Sequence, residues 1–222
     1  MVVTRPQPFA DGTAALLSAR GYRPLVVPLL RKTARDAPVP FEPDAVAVTS
    51  RAGAAELARF PELRRRPVFT VGEATAKAAR EVGADVIAVG TGGVDALAEL
   101  IVAHAPGSVI HLSGEDQAGD LVGTLRGAGL SAERVVVYAM EPVGELPDVS
   151  GSLLAVLLYS PRTARLFDER ARTAPWKTAP AIAMSTEVAA ALPDREVSVA
   201  ARPDEASLLT ALDAFATGGA LT

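Results

Sequence analysis

The chain repeats itself in an interleaved order, and that order limits the folds open to it. Val2-Val3-Thr4-Arg5-Pro6 leads into a helical stretch ending at Gly21-Tyr22, followed by Leu25-Val26-Val27-Pro28. In the second half the plan recurs as Val109-Ile110-His111-Leu112-Ser113-Gly114, then Leu121 to Gly129, then Val135-Val136-Val137-Tyr138. A second pair is as clear. Val46-Ala47-Val48-Thr49-Ser50 opens a helix as Val156-Leu157-Leu158-Tyr159-Ser160 does, and Val68 to Ala76 is echoed by Ala181 to Ala189. Short β-branched runs alternating with Ala- and Leu-rich helical segments are the pattern of βαβ units on a parallel sheet. The repeat predicts two similar α/β domains, and two such domains facing one cleft suit a single sizeable ligand. The order alone lets the first repeat unit complete either domain.

Proline and glycine place the boundaries. Arg31 to Pro43 and Glu141 to Ser152 concentrate these residues among charged ones, which marks linkers rather than element interiors. The 222 residues then divide into a discontinuous first domain, 1–33 plus 148–222, and a second at 38–140, with linkers at about 34–37 and 141–147. Strands are expected near 2–4, 25–28, 45–48, 68–70, 86–89, 109–112, 134–137, 154–158, 181–183 and 196–199. Helices fall between them, among them 51–59, 116–128 and 187–192.

Composition removes several function classes. A hydrophobic fraction of 49% with 22% charged residues describes a folded chain. Aromatics at 5% argue against a flavin held between rings, and a net charge of −4 gives no support for nucleic acid as partner. There is no cysteine, which excludes disulfides and thiolate chemistry. His104 and His111 are the only histidines, too few and too far apart in their elements for a metal site or a Ser-His-Asp triad. No apolar run reaches the roughly 20 residues of a membrane helix. The chain opens directly on a strand without a signal-peptide pattern, so a cytoplasmic protein is expected.

The chemistry is expected in turns that follow strands and open helices: Thr4-Arg5-Pro6, Thr49-Ser50-Arg51, Gly72-Glu73-Ala74-Thr75, Ser113-Gly114, Ser160-Pro161-Arg162 and Ser185-Thr186. Beyond the carboxyl ends of parallel strands, helix N-termini offer unpaired N–H groups and partial positive charge to carboxylates or phosphates. Plain N-capping, worth about 1 kcal/mol per residue, explains the hydroxyls but not Arg5, Arg51 and Arg162 beside them. Gly90-Thr91-Gly92-Gly93 lacks the glycine a dinucleotide fingerprint wants at Asp95, and reads as a loop capped by Asp95. Trp176 reads as a packing anchor. Tyr138 closes a valine strand at a domain boundary, a position open to a structural or a functional role.

These motifs, in this order, resemble the uroporphyrinogen-III synthase family over essentially the full length. The resemblance rests on Val3-Thr4-Arg5-Pro6, Val48-Thr49-Ser50, Val71-Gly72-Glu73-Ala74-Thr75-Ala76, Val137-Tyr138, Leu158-Tyr159-Ser160-Pro161 and Ala201-Arg202-Pro203. It implies two flavodoxin-like parallel-sheet domains joined by a two-stranded linker, the chain crossing twice. It implies a hydro-lyase that cyclises hydroxymethylbilane to uroporphyrinogen III without cofactor or metal, losing water and inverting the last pyrrole. Tyr138 is implied as the catalytic residue. The substrate, a linear tetrapyrrole with eight carboxylates, is implied to meet Thr4, Arg5, Ser50, Arg51, Gly72, Thr75, Ser113, Gly114, Ser160, Arg162, Ser185 and Thr186. A monomer that receives its substrate from the preceding enzyme of the pathway is expected. The chain departs from the family where Gln117-Ala118-Gly119 lacks a basic residue and where Ala183-Met184 lacks a glycine. A non-catalytic two-domain binder of an anionic small molecule is the alternative reading.

Overall fold

The structure, a computed structural model, describes residues 1–218; residues 219–222, the end of the expected 148–222 segment, lie outside them. The strands are β1 (Val2–Val3), β2 (Leu25–Val26), β3 (Leu30–Ala34), β4 (Ala45–Val48), β5 (Val68–Thr70), β6 (Val86–Val89), β7 (Ser108–Gly114), β8 (Ser131–Pro142), β9 (Val156–Leu158), β10 (Ala181–Ala183) and β11 (Val197–Val199). The helices are α1 (Phe9–Ala19), α2 (Arg51–Glu56), α3 (Pro61–Arg64), α4 (Glu73–Glu81), α5 (Gly93–His104), α6 (Leu121–Gly127), α7 (Pro161–Arg170), α8 (Thr186–Ala189) and α9 (Glu205–Gly218). Two compact units result. Unit 1 is Met1–Lys32 with the chain from Glu141 onward, and unit 2 is Thr33–Met140.

Unit 1 carries a parallel sheet in the order β11-β10-β9-β1-β2. Its strands are short apolar runs because both faces are covered. Val2 and Val156 point to the side of Phe167 and Trp176, whereas Val3 and Leu157 point to Leu17, Leu208 and Leu212. Phe167 meets Trp176 edge to face at 6.3 Å, and the indole N–H donates to the Pro147 carbonyl at 3.0 Å, so Trp176 is the anchor the sequence suggested. Unit 2 has the order β3-β8-β7-β4-β5-β6, with β8, β7, β4, β5 and β6 parallel. Val46 and Val48 face Leu57, Leu63 and Ala79, while Ala45 and Ala47 face Leu97, Ile101 and Leu125. Each fully buried Leu, Ile or Phe of these layers contributes roughly 1.5–3 kcal/mol.

Several local readings are corrected. Part of the expected linker sequence is strand: β3 occupies 30–34 and β8 runs on to Pro142, the two flanked by Arg35 N–H to Val137 O at 2.9 Å and Val143 N–H to Leu29 O at 3.0 Å. The helix expected over 116–128 starts only at Leu121, since Gly119 turns the chain at φ +76° and Asp120 caps by accepting from Gly123 N–H at 2.9 Å. The helix expected over 51–59 ends at Glu56 and passes into a 3-10 turn, Leu57–Arg59, with a further short helix, Pro61–Arg64, behind it. Asp95 lies in the first turn of α5, but Gly92 is the N-cap and no side chain closes it.

In each sheet the order of connection reverses once. The chain moves outward from β1 to β2 and later from β9 through β10 to β11, so the reversal in unit 1 lies between β1 and β9. In unit 2 it lies between β4 and β7. The crevice at such a point, beyond the carboxyl ends of the strands, is where open α/β sheets take ligands.

Candidate functional site

The crevice of unit 2 gathers three of the residues singled out in the sequence, Tyr138, Gly114 and Ser50. Tyr138 on β8 is the register partner of Gly114 on β7, after a slip in the pairing at Ser113 and Gly114. Its ring lies flat over that glycine: a Cβ at position 114 would fall 2.5 Å from Tyr138 Cζ and 2.7 Å from its oxygen. Only glycine leaves the ring its place. The phenol is 3.0 Å from Ser50 Oγ, and Tyr138 is 8% exposed. Ser50 also caps α2, accepting from Gly53 N–H at 2.9 Å. The serine hydroxyl still has its proton and a second lone pair, so either hydroxyl can donate across this contact.

Arg134, which the sequence reading passed over, and His111, which it set aside as a metal ligand or triad member, support this arrangement. Arg134 on β8 donates from Nε to Ser113 Oγ at 2.8 Å, and from Nη2 to the Gly114 and Glu115 carbonyls, each at 2.6 Å. It ties down the turn on which Tyr138 rests. His111, its direct register partner, is buried, with Nε2 3.0 Å from Thr49 Oγ1 and Nδ1 without a hydrogen-bond partner among the described residues. Burial first, and then the Arg134 charge, push the imidazole down to about 4 against the smaller opposing pull of Asp120. The ring is therefore neutral at physiological pH. The available signal was a cation and a histidine set within the apolar runs of two neighbouring strands.

The crevice of unit 1 is filled differently. Arg5 donates to Glu205 Oε1 at 2.8 Å and to Thr13 Oγ1 at 3.1 Å, and Thr13 donates to the same carboxylate. The guanidinium lies over the Tyr159 ring at 4.7 Å and the Phe9 ring at 5.5 Å. The Tyr159 hydroxyl is buried without a hydrogen-bond partner among the described residues, and burial pushes the phenol up to about 12. Glu205, at the start of α9, was not foreseen in this position. Thr4 is buried and donates to the Leu157 carbonyl at 2.7 Å, so its hydroxyl latches β1 to β9. Ser160 caps α7 through Thr163 N–H at 3.2 Å.

The remaining candidates are placed as follows. Gly72 opens α4 after β5, and Thr75 is buried within its first turn. Ser185 and Thr186 open α8 after β10, where the Ser185 side chain helps hold the Glu187 carboxyl below its ordinary range. Ser113 is buried and bonded to Arg134 and to the Gly114 carbonyl. Arg51 and Arg162 sit in the first turns of α2 and α7. Among the described residues no group of His, Asp and Glu is arranged to hold a metal ion, and no helix is long and apolar enough to cross a membrane.

The family model described as uroporphyrinogen-III synthase HemD matches residues 11–210 of the chain. Among solved structures, the fold is similar to uroporphyrinogen-III synthetase from Helicobacter pylori, at TM-score 0.65 and 16% identity, over 100% of this chain and 99% of that one. It is also similar to a mutant uroporphyrinogen III synthase from the extremely thermophilic bacterium Thermus thermophilus, at TM-score 0.54 and 18% identity, over 100% and 99%. At such identities the likeness concerns the fold. No curated protein sequence matches the chain.

Proposed function

The chain belongs to the uroporphyrinogen-III synthase family, and from that premise we propose that it closes linear hydroxymethylbilane to uroporphyrinogen III. Water is lost and the last pyrrole is inverted, which makes the enzyme a lyase. The hydroxymethyl carbon gives up its oxygen with the help of its own ring nitrogen, so a strong acid or a metal is not required. The protein's share is a proton for the departing oxygen and a bound shape in which the inverted closure outruns the simple one.

The observation that carries this reading is the buried Tyr138–Ser50 pair at the strand reversal of unit 2. In the proposed sense the phenol donates to the departing oxygen, while Ser50, its lone pair held by Gly53 N–H, donates to the phenol oxygen as that proton leaves. Carboxylate binding is supported by Arg51 and Arg162. Both stand at helix N-termini, where the backbone field is already positive and a cation lowers stability, so capping preference does not account for them. The reading includes a cytoplasmic monomer supplied by the enzyme that makes the bilane, because uncatalysed closure gives the uninverted isomer.

A coupled assay starting from porphobilinogen, with isomer analysis of the product, tests the proposal. Tyr138→Phe keeps the ring over Gly114 and removes the donor, so product III formation should fall roughly 3- to 100-fold with an unchanged melting temperature. A rate equal to the parent's would remove the acid role. A parent that yields only the uninverted isomer would remove the whole reading.

A further inference from the structure

The hydrogen bond between His111 and Thr49 spans the strand reversal of unit 2 itself. His111 lies on β7 and Thr49 is the first residue past the end of β4, and the order of connection turns between these two strands. Their pairing sets Ala47 level with His111 and Val48 level with Leu112. Thr49 therefore stands at the carboxyl end of β4, the end at which such sheets take ligands. It is partly buried, whereas His111 is 2% exposed. The contact, Nε2 to Oγ1 at 3.0 Å, is the one hydrogen bond of the Thr49 hydroxyl among the described residues.

The other ring nitrogen decides the direction of that bond. A neutral imidazole carries one N–H and one bare lone pair. His111 Nδ1 is buried with no partner among the described residues. A proton on Nδ1 would bury an N–H without an acceptor, and orphaned buried donors are rarer than orphaned acceptors. A proton on Nε2 leaves only a bare lone pair there, and it is also the intrinsically preferred tautomer of a neutral histidine side chain. Nε2–H then donates, and Thr49 Oγ1 accepts. A threonine hydroxyl otherwise rotates to suit its surroundings; with the ring's N–H on one lone pair, its own proton must point away from the ring.

We infer that His111 is a positioning residue: its Nε2–H holds a lone pair of Thr49 Oγ1 and so makes the Thr49 hydroxyl a fixed donor to a carboxylate of the substrate. The identity of that acceptor rests on the proposed reaction; the direction of the His111–Thr49 bond does not.

Nitrogen NMR of the isotope-labelled parent near neutral pH reads the tautomer directly. His111 should carry its proton on Nε2, and a proton on Nδ1 overturns the inference even if the ring variant below fails to fold. Thr49→Val removes the donor at nearly constant shape. For hydroxymethylbilane it should raise KM about 3- to 10-fold with kcat within about twofold of the parent, and Thr49→Ser should restore KM. An unchanged KM in Thr49→Val overturns the inference. His111→Phe keeps a ring without its nitrogens; it should raise KM to a similar extent alone and add nothing on top of Thr49→Val. A double variant in which the two rises multiply assigns His111 to packing and overturns its positioning role. If the parent forms no product III, the proposed reaction falls and a titration with porphobilinogen, a monopyrrole bearing one acetate and one propionate, decides. Shifts of the Thr49 amide and His111 ring signals retain a carboxylate site there, and silence removes it.

Discussion

At the strand reversal of unit 2 the hydrogen-bonded groups include a phenol, two hydroxyls and an uncharged imidazole, with Arg134 turned onto the Ser113 hydroxyl and two backbone carbonyls. At the reversal of unit 1 the corresponding space holds an ion pair, Arg5 with Glu205, laid over a buried phenol that does not titrate near neutral pH. The two sheets share a plan of connection, and the sequences entering their crevices rhyme, yet what fills them differs. A neutral hydrogen-bonded pair can pass a proton with little reorganisation. A cation already matched by its own carboxylate has less left for a substrate. The comparison teaches that recurrence of a strand-turn-helix unit carries the crevice forward but not its charge state, and it supports the proposal that places the chemistry in unit 2.

The strongest way to break this assignment is Gly114→Val. A Cβ there collides with the Tyr138 ring, so the ring must leave the Ser50 hydroxyl. Product III formation should drop at least as far as in Tyr138→Phe, with a loss of about 1–3 kcal/mol by thermal melting. A variant that keeps the parental rate would show that the phenol is not where the chemistry happens.

His111 sharpens the contrast through pH. Its folded-state value is depressed, so below about 6.5 the unfolded chain takes up a proton that the folded chain refuses. Stability present above that pH is lost as pH falls toward about 4, by up to about 3 kcal/mol. Melting curves of the parent and of His111→Gln across this window should diverge, with the variant losing less stability on acidification. Parallel curves would mean that the imidazole is not held neutral by its surroundings.

The smallest effect is expected in unit 1. Glu205→Gln leaves Arg5 without its charge partner; the pair is partly open to solvent, so the cost should be about 0.5–1 kcal/mol, with turnover changed less than about twofold. Arg5→Gln should likewise cost less rate than Tyr138→Phe does. If the order of those two losses is reversed, the chemistry belongs to unit 1.

Much of the fold was legible because Val and Ile runs buried on both faces announce themselves wherever they lie. The β1 and β4 strands were expected within a residue of where they stand. β3 was not, because it presents Arg31 and Lys32 to solvent and owes its extended form to β8, a partner far along the chain. Local composition carries no trace of such a partner. The same limit applied to the site. Tyr138, Ser50 and Gly114 could be named individually, but their meeting depends on strand pairing across the sheet. Thr4, Thr75 and Ser113 looked like ligand hydroxyls and are buried inside the fold. Arg134 and Glu205 were not singled out in the sequence, yet they organise the two crevices.

The position of β1 has a consequence in time. It is an inner strand, paired on one side with β2, which follows it closely, and on the other with β9, which begins at Val156. During synthesis at ~5–20 residues per second, β1 therefore waits about 10–30 s with one edge unpaired. Unit 2, contiguous in the chain, can close in that interval, while Val2 and Val3 have no second neighbour and no finished layer beneath them. An open, apolar strand edge is a template for pairing with another chain. The interleaved order thus makes the nascent polypeptide most vulnerable to aggregation in its first thirty residues, well before the last helix that covers them has been made.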